Sequence, residues 1–274
     1  MIPYLILSPK NLIRVKEYKS KSAGVRVLEK LYRELNKRGY EAYLTDGYNT
    51  PEVNGTVEKT VELIERDAIT VYHENIPSNV MRSVRPVGYV LGEWHRQRQN
   101  TFCKETFYYH PSLGEGKQLK INVIERELFH NLDRLDRLCS CTWVGKGDIG
   151  GFIGVDIDNP KDITTAWPDN RYDLAMLLKG SKALYTTDGN SALSTEARLC
   201  GCPVVFLPNQ AFTWKQCQAF NVGTPSGIGL TLEEAQATLP NFQAEYDKAW
   251  DSEREVSEID DFISITQKME AQCL

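Results

Sequence analysis

The sequence is poor in histidine, with four in 274 residues, and those at 73, 95, 110 and 130 do not cluster. Its seven cysteines are an odd number, and Cys139/Cys141 and Cys200/Cys202 are Cys-x-Cys pairs without the two-residue spacing of common zinc knuckles. The cysteines therefore read as reduced packing residues of a cytoplasmic protein. No apolar run approaches the ~18–20 residues of a membrane span. The opening MIPYLILSPK lacks the basic start and the cleavage site of a signal peptide, and reads as a first β-strand. Positive charge is not in excess: a net charge of -5 argues against nucleic acid as the main partner. The glycines of GKGDIGG (145–151) are out of GxGxxG order, because position 148 is Asp, which counts against a Rossmann dehydrogenase. No internal repeat period stands out.

What is present is an ordinary globular composition, 41% hydrophobic and 25% charged, in a chain long enough for two domains of roughly 120–150 residues. Strands are expected at 3–8, 40–45, 68–73 and 85–91. Between them lie a helix over 22–38, with Leu28, Leu31, Tyr32 and Leu35 on one face and Gly39 at its end, and a second helix over 56–65. TFYYH (106–110) and KINVIE (120–125) read as two more strands. A second series follows: a strand over 141–147, a helix over 167–181 with Pro168 at its start, a strand over 183–188, a helix over 191–200 and a strand over 203–208. An acidic helical segment over 232–268, interrupted by Pro240, completes the chain. The alternation predicts an α/β fold of two Rossmann-like domains, 1–132 and 133–274, facing a cleft at the carboxyl ends of their strands.

The stretch TTDGNSALSTEARLCGCPVVFLPN (186–209) carries the sharpest chemistry. A strand ends near Asp188, Gly189 permits a tight turn, and Asn190 and Ser191 are good N-cap types. The amides near Ala192 and Leu193 would then be free donors at a helix start, an anion site suited to a pyrophosphate. Glu196, about one and a half turns on, is an acceptor fit for a vicinal diol such as a ribose. A plain capped βαβ unit with a solvated glutamate accounts for the same letters.

Glu196-Ala197-x-x-x-Gly201-x-Pro203-Val204 resembles the nucleotide-binding C-terminal domain of GT-B glycosyltransferases, and Asp188 with Glu196 gives a D-x7-E form of their paired acids. The resemblance implies that Glu196 binds the nucleotide ribose and that Asp188 contacts the donor sugar with one methylene less than the usual Glu. SAG (22–24) resembles the glycine loop of the N-terminal domain, which gives Ser22 and Gly24 an acceptor-side or phosphate role. WVGKG (143–147) resembles the strand that sets a basic residue, here Lys146, against the diphosphate. YHENIPSN (72–79) with VRPVGYVL is similar to a segment of bacterial polysaccharide-type transferases. The resemblance covers roughly 20–92 and 141–209.

On this resemblance the expected donor-binding set is Lys146, Asp188, Asn190, Ser191, Ala192 and Glu196, with no metal and no cofactor beyond a nucleotide-sugar substrate. The acceptor would be a saccharide or a lipid-linked one, in surface-polysaccharide synthesis at the inner face of the membrane. The basic segment NLIRVKEYKSKS (11–22) offers a peripheral membrane contact. The acceptor hydroxyl needs a base, for which Glu74 comes first, with His73 and the pair Glu93/His95 as alternatives. Arg171 is a second phosphate candidate that could instead pair with Asp169 or Asp173. Asp156 and Asp158 of DID have the letters of a metal-binding pair but fall late for a GT-A enzyme. EWHRQRQ (93–99) could grip an anionic acceptor or be solvated. A sugar-nucleotide epimerase and a non-catalytic partner of another transferase are the competing functions.

Overall fold

The computed structural model describes residues 1–8, 22–45, 53, 56–92, 101–132 and 136–271. The chain forms two compact units. One combines the N-terminal strand, Ser22–Val123 and the chain from Ser252 on; the other is Ile124–Asp251.

The first unit is a parallel sheet built from β1 (Tyr4–Ile6), β2 (Ala42–Leu44), β3 (Ile69–His73), β4 (Arg85–Val90), β5 (Glu105–Tyr108) and β6 (Lys117–Gln118). Two helices connect the early strands, α1 (Ala23–Lys37) and α2 (Val57–Glu65). The strand order is β2-β1-β3-β4-β5-β6, so the chain starts inside the sheet, adds one strand on one side and then grows on the other. Helix α1 forms because Val27, Leu28, Leu31 and Leu35 share a face that buries against Tyr4, Ile6 and Val71. It stops at Gly39, which takes the left-handed φ of +84° that a side chain would resist.

The second unit repeats the plan with β7 (Cys139–Trp143), β8 (Pro160–Asp162), α3 (Arg171–Lys179), β9 (Ser181–Thr186), α4 (Ala192–Leu199), β10 (Val204–Phe206), α5 (Trp214–Phe220), β11 (Ile228–Gly229), α6 (Leu232–Thr238) and α7 (Phe242–Ala249). Its strands are parallel in the order β11-β10-β9-β7-β8. Both units are thus Rossmann-like α/β sheets, and in each the direction of growth reverses beside the first strand, between β1 and β3 and between β7 and β9.

Three differences from the sequence reading have physical causes. KINVIE forms no strand: the amides of Lys120 and Asn122 donate to the carboxylates of Glu258 and Glu255, at 2.6 and 3.0 Å, in place of a ladder. The helix expected from Pro168 starts at Arg171, because the Asn170 side chain accepts from Asp173 N–H at 2.9 Å and caps it there. The C-terminal helix α8 (Ser252–Thr266), placed by sequence with 133–274, packs in the first unit, where Ile259, Phe262 and Ile263 join the core and Tyr4 stacks on Phe262. Tyr4 also bonds Thr266 Oγ1 through its hydroxyl at 2.7 Å.

Among the described residues the six cysteines are unbridged, no group of three or more His, Cys, Asp and Glu side chains has metal-site geometry, and no helix is long and apolar enough to cross a membrane.

Candidate functional site

An open parallel sheet offers a crevice at the carboxyl ends of its strands where the strand order reverses. In the second unit that point lies between β7 and β9, and the loops that leave these strands are tied together there. Thr187 N–H donates to Trp143 carbonyl, and Thr187 Oγ1 donates to Val144 carbonyl, both at 3.2 Å. Asn209, just past β10, donates through Nδ2 to Thr187 carbonyl at 2.7 Å and braces the same turn from behind. The glycines of 145–151 are what let the backbones meet. Gly145 has φ +56°, and a Cβ there would collide with Asp188 Oδ2 and Trp143 Nε1; one at Gly147 would collide with the Thr187 carbonyl.

Asp188 stands at the centre of this junction, 2% exposed. Its Oδ2 accepts from Lys146 N–H and its Oδ1 from Asn190 N–H, each at 3.1 Å. Lys146 Nζ donates to Asn190 carbonyl at 2.5 Å and lies 3.9 Å from Asp188 Oδ1. The Trp143 indole N–H lies beside the carboxylate outside good hydrogen-bond geometry. Burial raises the Asp188 pKa above the usual carboxylate value, against the opposing pull of the Lys146 charge and the two amides. The Lys146 side chain remains about a third exposed.

Ser191 opens α4 as its N-cap, its hydroxyl accepting from Leu193 N–H at 3.2 Å. Ala192 is the first helical residue, among the amides that a helix leaves without intrahelical partners. Lys146, Asp188, Asn190, Ser191 and Ala192 therefore share one edge. Glu196 lies deeper, 1% exposed, with Oε1 accepting from Arg171 Nη2 at 2.7 Å. Arg171 also donates to Glu125 Oε2 at 2.7 Å and covers the Phe129 ring at 4.4 Å. Burial works against the Arg171 charge, and the two carboxylates outweigh it, holding the guanidinium more basic than usual. Glu196 borders a small pocket with Trp143, Ile163, Leu174 and Leu193. Arg171 pairs with Glu125 and Glu196 where the sequence offered Asp169 or Asp173, and a partner 25 residues away leaves no local signal in the sequence.

In the first unit the counterpart edge holds Glu74, directly after β3 and 8% exposed. Its Oε2 accepts from Leu91 N–H at 3.0 Å. Gly24, in the first turn of α1, faces the same Leu91: a Cβ added there would meet Leu91 Cδ1 at 3.6 Å. Ser22 precedes it as an exposed N-cap without a side-chain cap bond. His73 is buried beside Glu74 in sequence; its Nδ1 accepts from Asn75 N–H at 3.3 Å, and burial lowers its pKa to about 4. Such an imidazole is neutral at pH 7. Residues 93–99, with Glu93 and His95, and 11–21 of the basic segment lie outside the described residues. Asp158 of DID pairs with Lys182 on the surface.

No family model and no curated protein matches the chain. Among solved structures it is similar to the glycosyltransferase of kitacinnamycin, at 9% identity and a TM-score of 0.45, and to CalG4, the calicheamicin glycosyltransferase, at 12% identity and a TM-score of 0.35. Each similarity covers 96% of this chain and 94% of the other. Similarity at this level assigns no residue.

Proposed function

We propose that the chain is a nucleotide-sugar-dependent glycosyltransferase whose second unit binds the donor. The observation that carries this reading is the fixed junction at the β7/β9 reversal, where Lys146 stands beside the capped start of α4. A leaving nucleoside diphosphate gains charge in the transition state. A lysine and helix amides held in place beforehand stabilise that charge without reorganising, and each such donor contributes about 10²–10³ in rate. Lys146, Asn190, Ser191 and Ala192 take the phosphates in this reading, Glu196 takes the ribose, and no metal is required. The acceptor side belongs to the first unit, with Ser22 and Gly24 at its helix start and Glu74 as the base for a saccharide or lipid-linked acceptor hydroxyl. Surface-polysaccharide synthesis, at the inner face of a membrane, is the setting this chemistry suits.

The test is a thermal-shift screen with UDP, GDP, CDP, CMP, TDP and NAD on the wild type and on Glu196→Gln, which keeps an acceptor for Arg171. A ligand at 100 times its dissociation constant stabilises by about 2.7 kcal/mol, well within reach of the assay. A shift with one nucleoside diphosphate that Glu196→Gln weakens supports the reading; a well-folded wild type that responds to none rejects it. Glu74→Gln then keeps donor binding and loses transfer at least about 100-fold, the lower end for a general base.

A second reading, a non-catalytic relative of such enzymes, draws on Glu196 itself: the carboxylate is almost wholly buried and one of its oxygens is committed to Arg171. Binding of a nucleotide sugar with neither transfer nor hydrolysis would favour it.

A further inference from the structure

We propose that Asp188 is a positioning residue of the donor site, and that it works by tying the loop after β7 to the turn before α4 and not by touching the donor sugar. The inference rests on the reading that this edge holds a nucleoside diphosphate. It goes beyond that reading by separating the two acids of the D-x7-E pair.

The geometry is that of a pin. The two carboxylate oxygens accept from amides on different loops, Lys146 N–H on one side and Asn190 N–H on the other. The pinned residues are the ones that face the anion: Lys146 carries the charge, and Asn190 leads into the N-cap Ser191. Lys146 Nζ closes the ring by donating to Asn190 carbonyl. Removal of the pin frees both ends at once. At 2% exposure the carboxylate has almost no surface left for a sugar hydroxyl. Nor is there slack around it, since even a methyl group at Gly145 would collide with Oδ2. Thr187, bonded to the β7 end and held in turn by Asn209, keeps the strand side of the pin in place.

A pin and a sugar contact differ in what their loss does to two related ligands. A residue that touches the sugar adds affinity for the nucleotide sugar and none for the nucleoside diphosphate. A residue that sets Lys146 and the α4 start adds affinity for both, because both carry the diphosphate. Calorimetric titration of the wild type, Asp188→Asn and Gly145→Ala with the nucleoside diphosphate found by screening, and with its sugar conjugate, separates the two.

The expected result is a loss of ten-fold or more in affinity for both ligands, by the same factor within about two-fold, in Asp188→Asn. Gly145→Ala leaves the carboxylate in the chain but displaces it, and should repeat that pattern; it also carries the test if Asp188→Asn does not fold. In a Lys146→Met background, Asp188→Asn should cost less than it does alone, since part of its action passes through Lys146. A loss confined to the nucleotide sugar, fully multiplicative losses in the double variant, or unchanged binding of both ligands in folded Asp188→Asn would each overturn the proposal while leaving the donor-site reading in place. A wild type that binds no nucleoside diphosphate overturns both.

Discussion

The two units place their first three strands in the same order and furnish the resulting edge in opposite ways. At the β1/β3 reversal the first unit sets a carboxylate, Glu74, against the Leu91 amide, next in sequence to a buried neutral histidine. At the β7/β9 reversal the second unit sets a lysine and a helix start, and its carboxylates are turned inward: Asp188 onto backbone amides, Glu196 onto Arg171. The strand order decides where a ligand can meet the sheet. The loops decide whether it meets an acceptor or a donor. In the proposed transfer the first edge would take a proton and the second would hold an anion.

The contrast is broken most directly by removing one carboxylate from each edge. Glu196→Ala leaves Arg171 beside an empty space, with its other bonded carboxylate, Glu125, half-exposed. Breaking a buried pair from one side costs about 3–5 kcal/mol, and partial compensation by Glu125 puts the expectation at the lower end. Glu74→Ala takes the acceptor from Leu91 N–H, for about 1–3 kcal/mol. Urea denaturation of the two variants should therefore rank Glu196→Ala as the more damaging. Equal costs would mean that Glu196 is no more structural than Glu74.

Acid sharpens the same comparison. His73 and His110 both lie in the first unit, and burial lowers each pKa to about 4, with the Lys120 and Arg254 charges adding to the effect at His110. An unfolded histidine titrates near 6.5, so between pH 6.5 and 4 the unfolded chain binds the extra protons. Stability from these two groups is complete above about pH 6.5 and is lost as the pH falls toward 4, by ~3 kcal/mol per histidine. Asp188 in the second unit has the opposite sign. Its pKa is raised in the fold, so the folded state takes up a proton first, and acid relieves its buried charge. Hydrogen exchange at pH 7 and pH 5 should thus show first-unit amides opening earlier on acidification. Simultaneous opening of both units would sink this prediction. The double variant His73→Gln/His110→Gln should flatten the first unit's pH dependence.

Much of the scaffold was legible because periodicity and punctuation are local. The spacing of Leu28, Leu31 and Leu35 gave α1, and Ser191 with Gly201, at φ +70°, bracketed α4. Strand β8 was not legible: Pro160–Asp162 is exposed at every residue and has no apolar alternation, so only its pairing with β7 makes it a strand. The same division runs through the site. Lys146, Asn190 and Ser191 announce themselves by residue type beside glycines and at a helix start. The inward bonds of Asp188 and Glu196 join positions 42 and 25 residues apart, and no local pattern encodes such a distance. The backward packing of α8 is of that kind as well, since an acidic amphipathic helix reads alike whichever sheet it covers.

The smallest expected effect compares two helix starts. Helices α2 and α4 both open from an extended N-cap residue with a hydroxyl, Thr56 in the first unit and Ser191 in the second. The Ser191 hydroxyl accepts from Leu193 N–H, so Ser191→Ala unpairs one amide of the first turn and should cost about 1 kcal/mol. The Thr56 hydroxyl instead donates backward to Val53 carbonyl at 3.4 Å, a long bond, and makes no cap bond to α2. Thr56→Ala therefore takes nothing from its helix and should cost no more than a few tenths of a kcal/mol. If the amides at the α4 start serve an anion, the gap between the two variants should narrow when a nucleoside diphosphate is bound, because the ligand supplies an acceptor at the α4 start where the lost hydroxyl had been. A gap that persists unchanged at saturating ligand would place the anion away from the α4 start and on Lys146 alone.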